Sequence, residues 1–340
     1  MARNVYGLDL GTYEIKVYDK KKNEIWKEKD VIAIADEKHI FSVGDEAYEM
    51  YEKAPENIQV VFPMKEGVIS RFNDMQYLLQ NLLKKERHFA RGSDYLIAVP
   101  TDVTEVEKRA FYDLVEHSTA KAKSVTIVER GIADALGLGL DVENEKGIFI
   151  ANFGGETTEL SVIASGGMVL NRLVKKGGVQ FDIAVQNLVR NSHEFLIGRL
   201  TAEVLRREFG VFNQSNDASL AVAGRNLITG VPQQKEISIS LVRAAIKEPL
   251  EECVRAIRSL LDRTPPDVLR IVEKNGIYLT GGIAHLRGLS TYLEGMTGLK
   301  VTVSKAPDIC VVEGLKKIIL NKELKRLTYT MLDEDYRWMR

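Results

Sequence analysis

Two segments of the 340-residue sequence follow the same plan, and this repeat constrains the fold more than any other feature. "VYGLDLGTYEIKVYD" (5–19) and "GIFIANFGGETTELSVIA" (147–164) each contain an apolar strand, an acid or amide, a glycine turn with a hydroxyl side chain, and a second strand. Asp9 and Asn152 take the same place in this plan, 143 positions apart. Two such hairpins predict two similar domains that face each other, and the alternative is a chance similarity between hairpins.

Short apolar strands alternate with amphipathic helices along the rest of the chain, which indicates an α/β architecture. "DYLIAVP" (94–100) is typical of a buried strand, and the helix after it is predicted to begin at a capping box of Thr104 and Glu107. A long amphipathic helix is predicted over 240–261, with a kink or a break at Pro249, because proline removes a helical hydrogen bond. No low-complexity linker separates the two halves, so we expect them to share packed interfaces.

Composition narrows the setting in which such a chain works. The formal net charge is -1, from 47 basic and 48 acidic side chains, so any contact with nucleic acid or acidic lipid depends on a local patch. Cys253 and Cys310 are isolated, which favours a reducing compartment over a disulfide framework. No apolar run approaches the roughly 18 residues of a membrane span, and no signal-peptide pattern precedes the first strand. We expect a cytoplasmic protein.

Three glycine turns carry the chemistry that the repeat implies. A tight turn between strands points backbone N–H groups inward, where glycine leaves room for an anion and a hydroxyl adds a donor. Hairpins from two facing domains can clamp a triphosphate, with an acid at a strand end handling Mg²⁺ through water. A third turn, at 279–289, is placed to close over an adenosine. The residues that the first two turns supply are Asp9, Gly11, Thr12, Gly154, Gly155 and Thr157.

On these residues the sequence resembles the MreB-type bacterial actins, which belong to the superfold that actin shares with chaperone ATPases and sugar kinases. "DLGT" is similar to the family's first phosphate motif, "NFGGETTE" to its D-I-G-G-G-T-T-E, and "RTPPDVLRIVEKNGIYLTGG" to a further long stretch. The resemblance extends over nearly the whole chain. It implies an α/β, actin-like fold with two facing duplicated domains around a nucleotide cleft, and ATP and Mg²⁺ as cofactors.

The resemblance also implies how the chain divides. Each domain is expected to carry a small subdomain, and the last residues form a tail. The expected boundaries are 1–140 with 305–328 for domain I (small subdomain about 30–80), 141–304 for domain II (small subdomain about 180–250), and 329–340 for the C-terminal tail.

By the same resemblance, the phosphates contact the first two turns, and the ribose and adenine lie beside Glu203 and Arg206. The third turn completes the adenosine site, and Asp9 is the residue expected to bind Mg²⁺ through water. The full set of expected nucleotide residues is Asp9, Gly11, Thr12, Tyr13, Glu14, Asn152, Gly154, Gly155, Glu156, Thr157, Glu203, Arg206, Gly281, Gly282, Ile283 and Ala284.

Several residues of this set depart from the family pattern. Asn152 replaces an acid, Glu156 replaces a glycine, and Arg130 replaces the glutamate that positions the attacking water. In the first turn, Tyr13 and Glu14 stand where the family has a small residue and an asparagine. Arg130 cannot accept a proton, and Glu156 is expected to repel phosphate by roughly 3 kcal/mol per charge pair at about 5 Å and a dielectric of about 20. We therefore expect no catalytic residue and impaired hydrolysis.

Three interpretations of the altered site stay open. In the first, Glu156 replaces the lost carboxylate or Arg130 pairs with the γ-phosphate, and the protein holds ATP without cutting it. In the second, the cleft is empty or weakly occupied, with an ion pair between Arg130 and Glu156 across it. In the third, hydrolysis is slow but ordinary. Lys16 is equally open, between a phosphate contact of the kind found in eukaryotic actins and a solvated lysine.

The resemblance implies a bacterial actin-like cytoskeletal protein that forms or joins filaments at the inner membrane face and organises cell-wall synthesis and cell shape. Its expected partners are further copies of itself, other bacterial actins and membrane-embedded shape and wall-synthesis proteins, without nucleic acid. One alternative is a non-polymerising, nucleotide-free regulator of other bacterial actin filaments. A less favoured one is an active ATPase or kinase of the same superfold.

Two segments are candidates for peripheral contact with the plasma membrane or a partner. "KKERHFARGSD" offers Phe89 among basic residues, the alternative being a solvated loop. The tail has Tyr329, Tyr336 and Trp338 among charges, the alternative being a frayed end. The segment before the tail carries an apolar stripe that core packing explains, formed by Leu315, Ile318, Ile319, Leu324 and Leu327.

Overall fold

The computed structural model describes residues 4–37, 39–85, 92–117, 122–210 and 218–331. Within these residues the strands are β1 (Val5–Leu10), β2 (Glu14–Asp19), β3 (Glu24–Lys29), β4 (Ile32–Ala35), β5 (His39–Val43), β6 (Ile58–Val61), β7 (Met64–Lys65), β8 (Val68–Ile69), β9 (Asp94–Val99), β10 (Ser124–Glu129), β11 (Ile148–Phe153), β12 (Thr158–Ala164), β13 (Gly167–Val174), β14 (Phe195–Leu196), β15 (Ser219–Asn226), β16 (Pro232–Ser238), β17 (Ile277–Thr280) and β18 (Val301–Val303). The α-helices are α1 (Asp45–Glu49), α2 (Phe72–Lys85), α3 (Glu105–Glu116), α4 (Arg130–Leu138), α5 (Gly178–His193), α6 (Arg199–Phe209), α7 (Ile239–Arg263), α8 (Pro266–Asn275), α9 (Leu289–Thr297) and α10 (Cys310–Leu320). Two 3-10 helices cover Gly282–His285 and Glu323–Leu327.

Two five-stranded sheets with the same strand arrangement form the centre of the molecule. The order is β10-β9-β1-β2-β3 in the first sheet and β18-β17-β11-β12-β13 in the second. In each sheet the leading hairpin is antiparallel, and two further strands continue the sheet in parallel from the hairpin's first strand. The repeat predicted from residues 5–19 and 147–164 is therefore confirmed as a duplication of a whole sheet.

An apolar core joins the two sheets, as expected for halves that share a packed interface. Tyr18 and Ala98 from the first sheet and Ile150 and Ile163 from the second belong to one buried cluster together with side chains of α4 and α10. The two helices cross in close contact because Gly314 has no side chain, and a Cβ atom there would collide with a backbone carbonyl of α4. This shared core fixes the positions of β1 and β11 relative to each other.

Smaller sheets extend from each half. One has the order β5-β4-β6 and packs against α1, and the other has the order β14-β15-β16. The predicted capping box at the start of α3 is confirmed, since Thr104 and Glu107 exchange side-chain and backbone hydrogen bonds. Of the kink or break predicted at Pro249, the break does not occur, because α7 runs without interruption from Ile239 to Arg263. Pro249 is buried within the helix, and the burial of its neighbours offsets the lost hydrogen bond.

The predicted C-terminal stripe divides between two elements. Leu315, Ile318 and Ile319 are buried on α10, whereas Leu324 and Leu327 lie on the 3-10 helix that follows and pack against the same core. The chain then pairs at Tyr329 with Ile127 of β10. Phe89, Tyr336 and Trp338 lie outside the described residues. Among the described helices, none combines the length and the hydropathy that a crossing of the bilayer requires.

Candidate functional site

A cavity of about 650 Å³ lies where β1, β11 and β17 end and the three glycine turns meet. This volume is within the usual range for small-molecule sites. Of the predicted nucleotide residues, Glu156 and Ala284 do not line the cavity. Those that do line it are Asp9, Gly11, Thr12, Tyr13, Glu14, Asn152, Gly154, Gly155, Thr157, Glu203, Arg206, Gly281, Gly282 and Ile283.

The turns need glycine because they approach one another closely. A Cβ atom on Gly155 would lie 2.7 Å from the Cβ atom of Tyr13, so the first and second turns touch at this point. Gly281 has a φ of +84°, which favours glycine, and a side chain there would meet the carbonyl of Phe153 and the amide oxygen of Asn152. The three turns therefore form one surface with backbone groups facing the cavity.

Arg130 lies in the floor of the cavity, at the first residue of α4. Its Nη2 donates a hydrogen bond to the carbonyl oxygen of Leu10 at 3.1 Å, and its Nη1 donates to Glu159 Oε2 at 3.4 Å. Its Nε is 3.6 Å from Asp9 Oδ1 and makes no hydrogen bond. Glu159 also accepts hydrogen bonds from the backbone N–H and the hydroxyl of Thr101. Burial raises the pKa of Glu159, and the nearby Arg130 opposes this effect.

The ion pair predicted between Arg130 and Glu156 is wrong, since Arg130 is paired with Asp9 and Glu159 instead. Glu156 turns away from the cavity and accepts a hydrogen bond from the backbone N–H of Glu66 at 2.5 Å. Burial raises its pKa, and this hydrogen bond opposes the effect. The repulsion of phosphate expected from Glu156 is therefore weakened, and Glu156 does not supply the carboxylate that Asn152 lacks.

A carboxylate does lie beside Asn152, at a position that the sequence analysis did not single out. Asp134 Oδ2 accepts hydrogen bonds from Asn152 Nδ2 at 2.7 Å and from Thr280 Oγ1 at 2.6 Å. Asp134 is 1% exposed, and burial raises its pKa to about 7, with Asp9 and Glu159 acting in the same direction and the two hydrogen bonds against it. The family's acid at the end of β11 is absent here, but the carboxylate of Asp134 on α4 lies within hydrogen-bond distance of Asn152, which replaces that acid.

Lysines surround the first turn. Lys29 Nζ is 2.9 Å from Glu14 Oε1, and Lys16 and Lys27 lie 3.8 Å and 3.7 Å from Glu14 Oε2. Lys16 is also 4.0 Å from Asp9 Oδ2, and its side chain is 12% exposed. The interpretation of Lys16 as a solvated surface lysine is therefore wrong. Lys16 faces the cavity and neutralises acids of the first turn.

Tyrosines and arginines occupy the side of the cavity where ribose and adenine are expected. Tyr13 and Tyr48 donate hydrogen bonds to the two carboxylate oxygens of Glu203, at 3.1 Å and 3.3 Å, and Arg207 lies 2.5 Å from Glu203 Oε1. Burial acts to raise the pKa of Glu203, but Arg207 and Arg206 outweigh it and lower the pKa below its usual range. Glu203 thus stays ionised at neutral pH.

Arg206 is held in place by a second buried acid. Its Nε and Nη2 donate to the two oxygens of Asp182 at 2.6 Å and 3.3 Å, a bidentate arrangement that fixes the plane of the guanidinium. Burial raises the pKa of Asp182 to about 6, against the effect of Arg206. The guanidinium of Arg206 is therefore a rigid part of the cavity wall.

Contacts across the mouth of the cavity join the two small sheets. Both carboxylate oxygens of Glu52 accept hydrogen bonds from the first backbone N–H groups of α6, those of Arg199 at 2.6 Å and Leu200 at 3.1 Å. The guanidinium of Arg199 lies over the rings of Tyr51 and Phe62, with its carbon 4.4 Å and 5.0 Å from their centroids. We refer to the contacts of Glu52 and Arg199 as the cleft contacts. They link the loop after α1 to the start of α6 across the mouth of the cavity.

Charge in the cavity is positive on balance. Eight lysine and arginine side chains line it, against six carboxylates. An anion is the ligand that such a lining favours. No cluster of three or more His, Cys, Asp or Glu side chains suited to a metal ion occurs in the described part of the chain.

The sequence analysis predicted the three glycine turns of the site, but it did not identify the side chains that form hydrogen bonds with the site residues. Asp134, Asp182, Tyr48 and Glu52 stand in ordinary helical or loop contexts, and their roles depend on contacts with residues far along the chain. One signal was available, because Asp134 is a charged residue inside an otherwise apolar stretch, "GIADALGLG". A buried acid in that place needs a polar partner.

Comparisons with known sequences give consistent results. A family model described as "MreB/Mbl protein" matches residues 3–327. The chain is 35% identical over 323 residues to "Cell shape-determining protein MreB" of Escherichia coli (strain K12), with 92% of each chain covered. It is 29% identical over 326 residues to "Cell shape-determining protein Mbl" of Bacillus subtilis (strain 168), with 95% of this chain and 97% of the other covered.

Solved structures resemble the chain over nearly its whole length. MreB5 of Spiroplasma citri bound to ADP matches with a TM-score of 0.89 and 28% identity, covering 96% of this chain and 98% of that one. The same protein bound to AMPPNP gives the same values. A MamK double helical filament matches with a TM-score of 0.79 at 20% identity, a level at which the likeness concerns the fold alone.

Proposed function

Because the chain belongs to the MreB/Mbl family and has the actin-like fold expected from its sequence, we propose that it is a bacterial actin-like cytoskeletal protein that forms or joins filaments and helps to determine cell shape. The relatives named as cell shape-determining proteins align with it over at least 92% of both chains. The observation that carries the proposal is the duplicated pair of sheets, whose glycine turns meet around one cavity.

The expected domain division is part of this proposal. Domain I comprises 1–140 and 305–328, and domain II comprises 141–304, with the tail after them. The packing of α10 against α4 and β1 supports the return of the chain to domain I. The sheets β5-β4-β6 and β14-β15-β16 lie within the expected small subdomains at about 30–80 and 180–250.

An adenine nucleotide is the proposed occupant of the cavity. MreB5, which shares the fold at 28% identity, has been seen with ADP and with AMPPNP. The donors proposed to bind phosphate oxygens are the backbone N–H groups of Gly11 and Gly155 and the hydroxyls of Thr12 and Thr157, all of which line the cavity. Gly154 also lines it, but its N–H donates to the carbonyl of Thr157 at 2.8 Å. The fixed guanidinium of Arg206 and the ionised carboxylate of Glu203 form the ribose and adenine side.

Hydrolysis is proposed to be impaired, so the protein acts as a nucleotide-holding subunit and not as an enzyme. An attacking water needs an acceptor, and Arg130 offers only donors at the position where the resemblance expects a glutamate. The nearest acid, Glu159, is already engaged by Arg130 and Thr101. Asn152 is engaged by Asp134.

The Mg²⁺ predicted at Asp9 does not fit the donors present. Each oxygen of Asp9 faces a cation, Arg130 on one side and Lys16 on the other. The second position expected to carry an acid is the amide Asn152. Because a hard divalent cation prefers carboxylate oxygens and water, this set is a poor one for it.

Sedimentation and phosphate release, measured on one sample with ATP, test the proposal. We expect the wild-type protein to pellet and to release no phosphate above the buffer rate. The triple variant Arg130→Glu, Asn152→Asp and Asp134→Asn restores an acceptor and the acid at the end of β11, and we expect it to gain release. Wild-type release at a rate equal to that of the triple variant would contradict the proposal, as would failure to pellet at any protein concentration.

One observation favours the alternative of a nucleotide-free regulator. Arg130 and Lys16 together balance the charges of Asp9 and Glu159 within the protein, so these four groups need no ligand for charge balance. Such a regulator would not pellet alone but would pellet with filaments of a catalytically intact relative. Mixing the two proteins and comparing each supernatant with that of the single proteins separates the two functions.

Cytoplasmic location at the inner face of the plasma membrane, with membrane-embedded shape and wall-synthesis proteins as partners, completes the proposal. It is supported by the family to which the chain belongs. Fluorescence microscopy of the tagged chain in cells tests it. A diffuse signal that is unchanged when the wall-synthesis proteins are depleted would count against it.

A further inference from the structure

Arg130 occupies the part of the cavity in which a hydrated cation was expected from the sequence. Its guanidinium lies between acids of the two facing hairpins, 3.6 Å from Asp9 Oδ1 and 3.4 Å from Glu159 Oε2. The side chain is 11% exposed. An arginine side chain stays protonated in proteins, so a permanent positive charge stands at this point.

The groups around Arg130 are already satisfied without a metal. Asp9 Oδ2 is 4.0 Å from Lys16 Nζ, so the carboxylate has a cation on either side. Asn152 uses its Nδ2 to donate to Asp134 and offers only a neutral oxygen. A divalent cation placed here would have to displace Lys16 from Asp9 and Arg130 from both Asp9 and Glu159, and at the end of β11 it would meet an amide in place of an acid. The arrangement therefore disfavours Mg²⁺ and leaves the positive charge in place.

From these contacts we propose that the cavity binds the polyphosphate of a nucleotide without Mg²⁺, with Arg130 as its built-in counter-cation. The inference rests on the proposed nucleotide site and specifies the ligand, a metal-free nucleoside diphosphate or triphosphate. Two of the five guanidinium N–H groups donate hydrogen bonds, to Glu159 and to the carbonyl of Leu10. The Nε–H is buried and faces Asp9, so the donors left for phosphate oxygens are the second N–H of Nη1 and of Nη2.

The rest of the cavity supplies the charge that a metal-free polyphosphate needs. Lysine and arginine side chains outnumber carboxylates in the lining by eight to six. Lys16 and Lys29 reach the first turn, and Arg206 is fixed on the opposite wall. A site in which the metal arrives with the nucleotide loses affinity when the metal is removed. A site with this lining keeps its affinity.

The test is a titration of the wild-type protein with a fluorescent ATP analogue, once with 2 mM Mg²⁺ and once with excess EDTA. Unlabelled ADP and inorganic phosphate serve as competitors, to separate nucleotide binding from binding of phosphate alone. We expect dissociation constants that agree within about threefold between the two conditions. A loss of more than tenfold in EDTA overturns the inference and leaves the proposed nucleotide site intact. No binding in either condition overturns both.

Substitutions of Arg130 test whether this residue is responsible for nucleotide binding without Mg²⁺. Arg130→Gln removes the cation, and we expect binding in EDTA to weaken at least tenfold. Arg130→Lys keeps the charge and is expected to lose less than Arg130→Gln while staying indifferent to Mg²⁺. Arg255→Gln is the matched control, because Arg255 is an exposed arginine of α7 that does not line the cavity. It is expected to leave the ratio between the two conditions unchanged.

Circular dichroism and thermal unfolding establish that each variant is folded before it is titrated. Should Arg130→Gln not fold, the wild-type ratio and the Arg130→Lys titration decide the matter. If a folded Arg130→Gln variant binds the analogue in EDTA with the wild-type affinity, Arg130 is not the counter-cation of the polyphosphate.

Discussion

Asp134 and Asn152 show how an acid can change place within one site. The family pattern has an acid at the position of Asn152, whereas this chain has the amide there and an acid, Asp134, 2.7 Å away on α4. The amide donates to the carboxylate, and Thr280 supplies a second donor. The amide of Asn152 and the carboxylate of Asp134 therefore satisfy each other as donor and acceptor. A carboxylate at position 152, as in the family pattern, would leave Asp134 without this donor.

We expect Asn152→Asp alone to destabilise the protein by about 3 kcal/mol at pH 8, because the buried carboxylate of Asp134 would lose its amide donor and face a second carboxylate. The double variant Asn152→Asp and Asp134→Asn restores one donor and one acceptor and should recover most of that loss. Urea unfolding followed by circular dichroism measures both. Asn144→Asp is the matched control, since Asn144 donates to Asp141 at the same 2.7 Å on the surface, and we expect it to cost less than about 0.5 kcal/mol. Equal losses at the two sites would contradict the account.

The raised pKa of Asp134 predicts a pH dependence of stability. Burial moves this pKa from 3.8 to about 7 in the folded protein. The unfolded chain therefore ionises first, and the stabilising contribution of the protonated acid is present in full below about pH 4 and is lost as the pH rises to 7. The loss is on the order of 4 kcal/mol, from 1.36 kcal/mol per unit.

Asp134→Asn should remove most of this slope. Unfolding free energies of both proteins at pH 5 and pH 7.5 provide the measurement. Asp182, with a pKa raised to about 6, contributes a slope of the same sign and remains in the variant, so the difference between the two proteins is the quantity to compare. Parallel pH profiles would argue against a protonated Asp134.

At the residue scale, sequence reasoning identified the altered positions but not their partners. Arg130, Asn152 and Glu156 were visible as departures from a family pattern. Their contacts were not, because Arg130 reaches Leu10 and Asp9 across some 120 positions, and Glu156 reaches Glu66 across 90. Such pairings depend on how the two halves pack, which local sequence does not encode.

At the scale of elements, α6 is the helix whose start depends on another part of the molecule. The residue before it is Gly198, which has no side chain to cap the first N–H groups. Glu52, from the opposite small sheet region, supplies both acceptors instead. A capping acceptor at a helix start stabilises it, and a carboxylate also interacts favourably with the helix dipole.

Glu52→Ala should cost about 1 kcal/mol, the usual value for a lost N-cap, and should open the mouth of the cavity. Limited proteolysis and urea unfolding report the two effects. Glu56→Ala is the control, because Glu56 is an exposed glutamate of the same loop. If both variants are cleaved at the wild-type rate, the contact of Glu52 does not hold the cavity closed.

Most elements could be predicted because their signals are local. The hairpins, the capping box of α3 and the glycines that end α4 and α8 are each specified by a few adjacent residues. The continuity of α7 through Pro249 could not be predicted, because the gain from burying α7 on its core is tertiary. The division of the C-terminal stripe between α10 and a 3-10 helix was missed for a similar reason, since the helix ends at Leu320 although the apolar spacing continues.

At the scale of the whole molecule, the exposed apolar side chains bear on self-association. Leu227, Ile228 and Val231 are 44%, 75% and 56% exposed at the tip of the β15–β16 hairpin. Three such side chains at one tip form an apolar surface that another subunit can cover. The fold itself could be predicted at this scale because the repeated hairpin appears twice in the sequence and each copy specifies one sheet.

Ile228→Asp should raise the protein concentration needed for pelleting at least tenfold, since burial of an isoleucine contributes about 1.5–3 kcal/mol and tenfold corresponds to about 1.4 kcal/mol. Sedimentation over a concentration series measures it. Gln233→Asp adds the same charge at an exposed polar position of the hairpin and should pellet like the wild type. Normal pelleting of Ile228→Asp would place the contact between subunits elsewhere.

The cleft contacts have a kinetic consequence. Glu52 and Arg199 join the two sides of the mouth. Under the proposed function, we expect the residence time of a bound nucleotide to depend on how often these contacts separate as well as on how strongly the phosphates are held. With hydrolysis impaired as proposed, a subunit keeps one nucleotide over many rounds of assembly, and the filament has no hydrolysis step to time its disassembly.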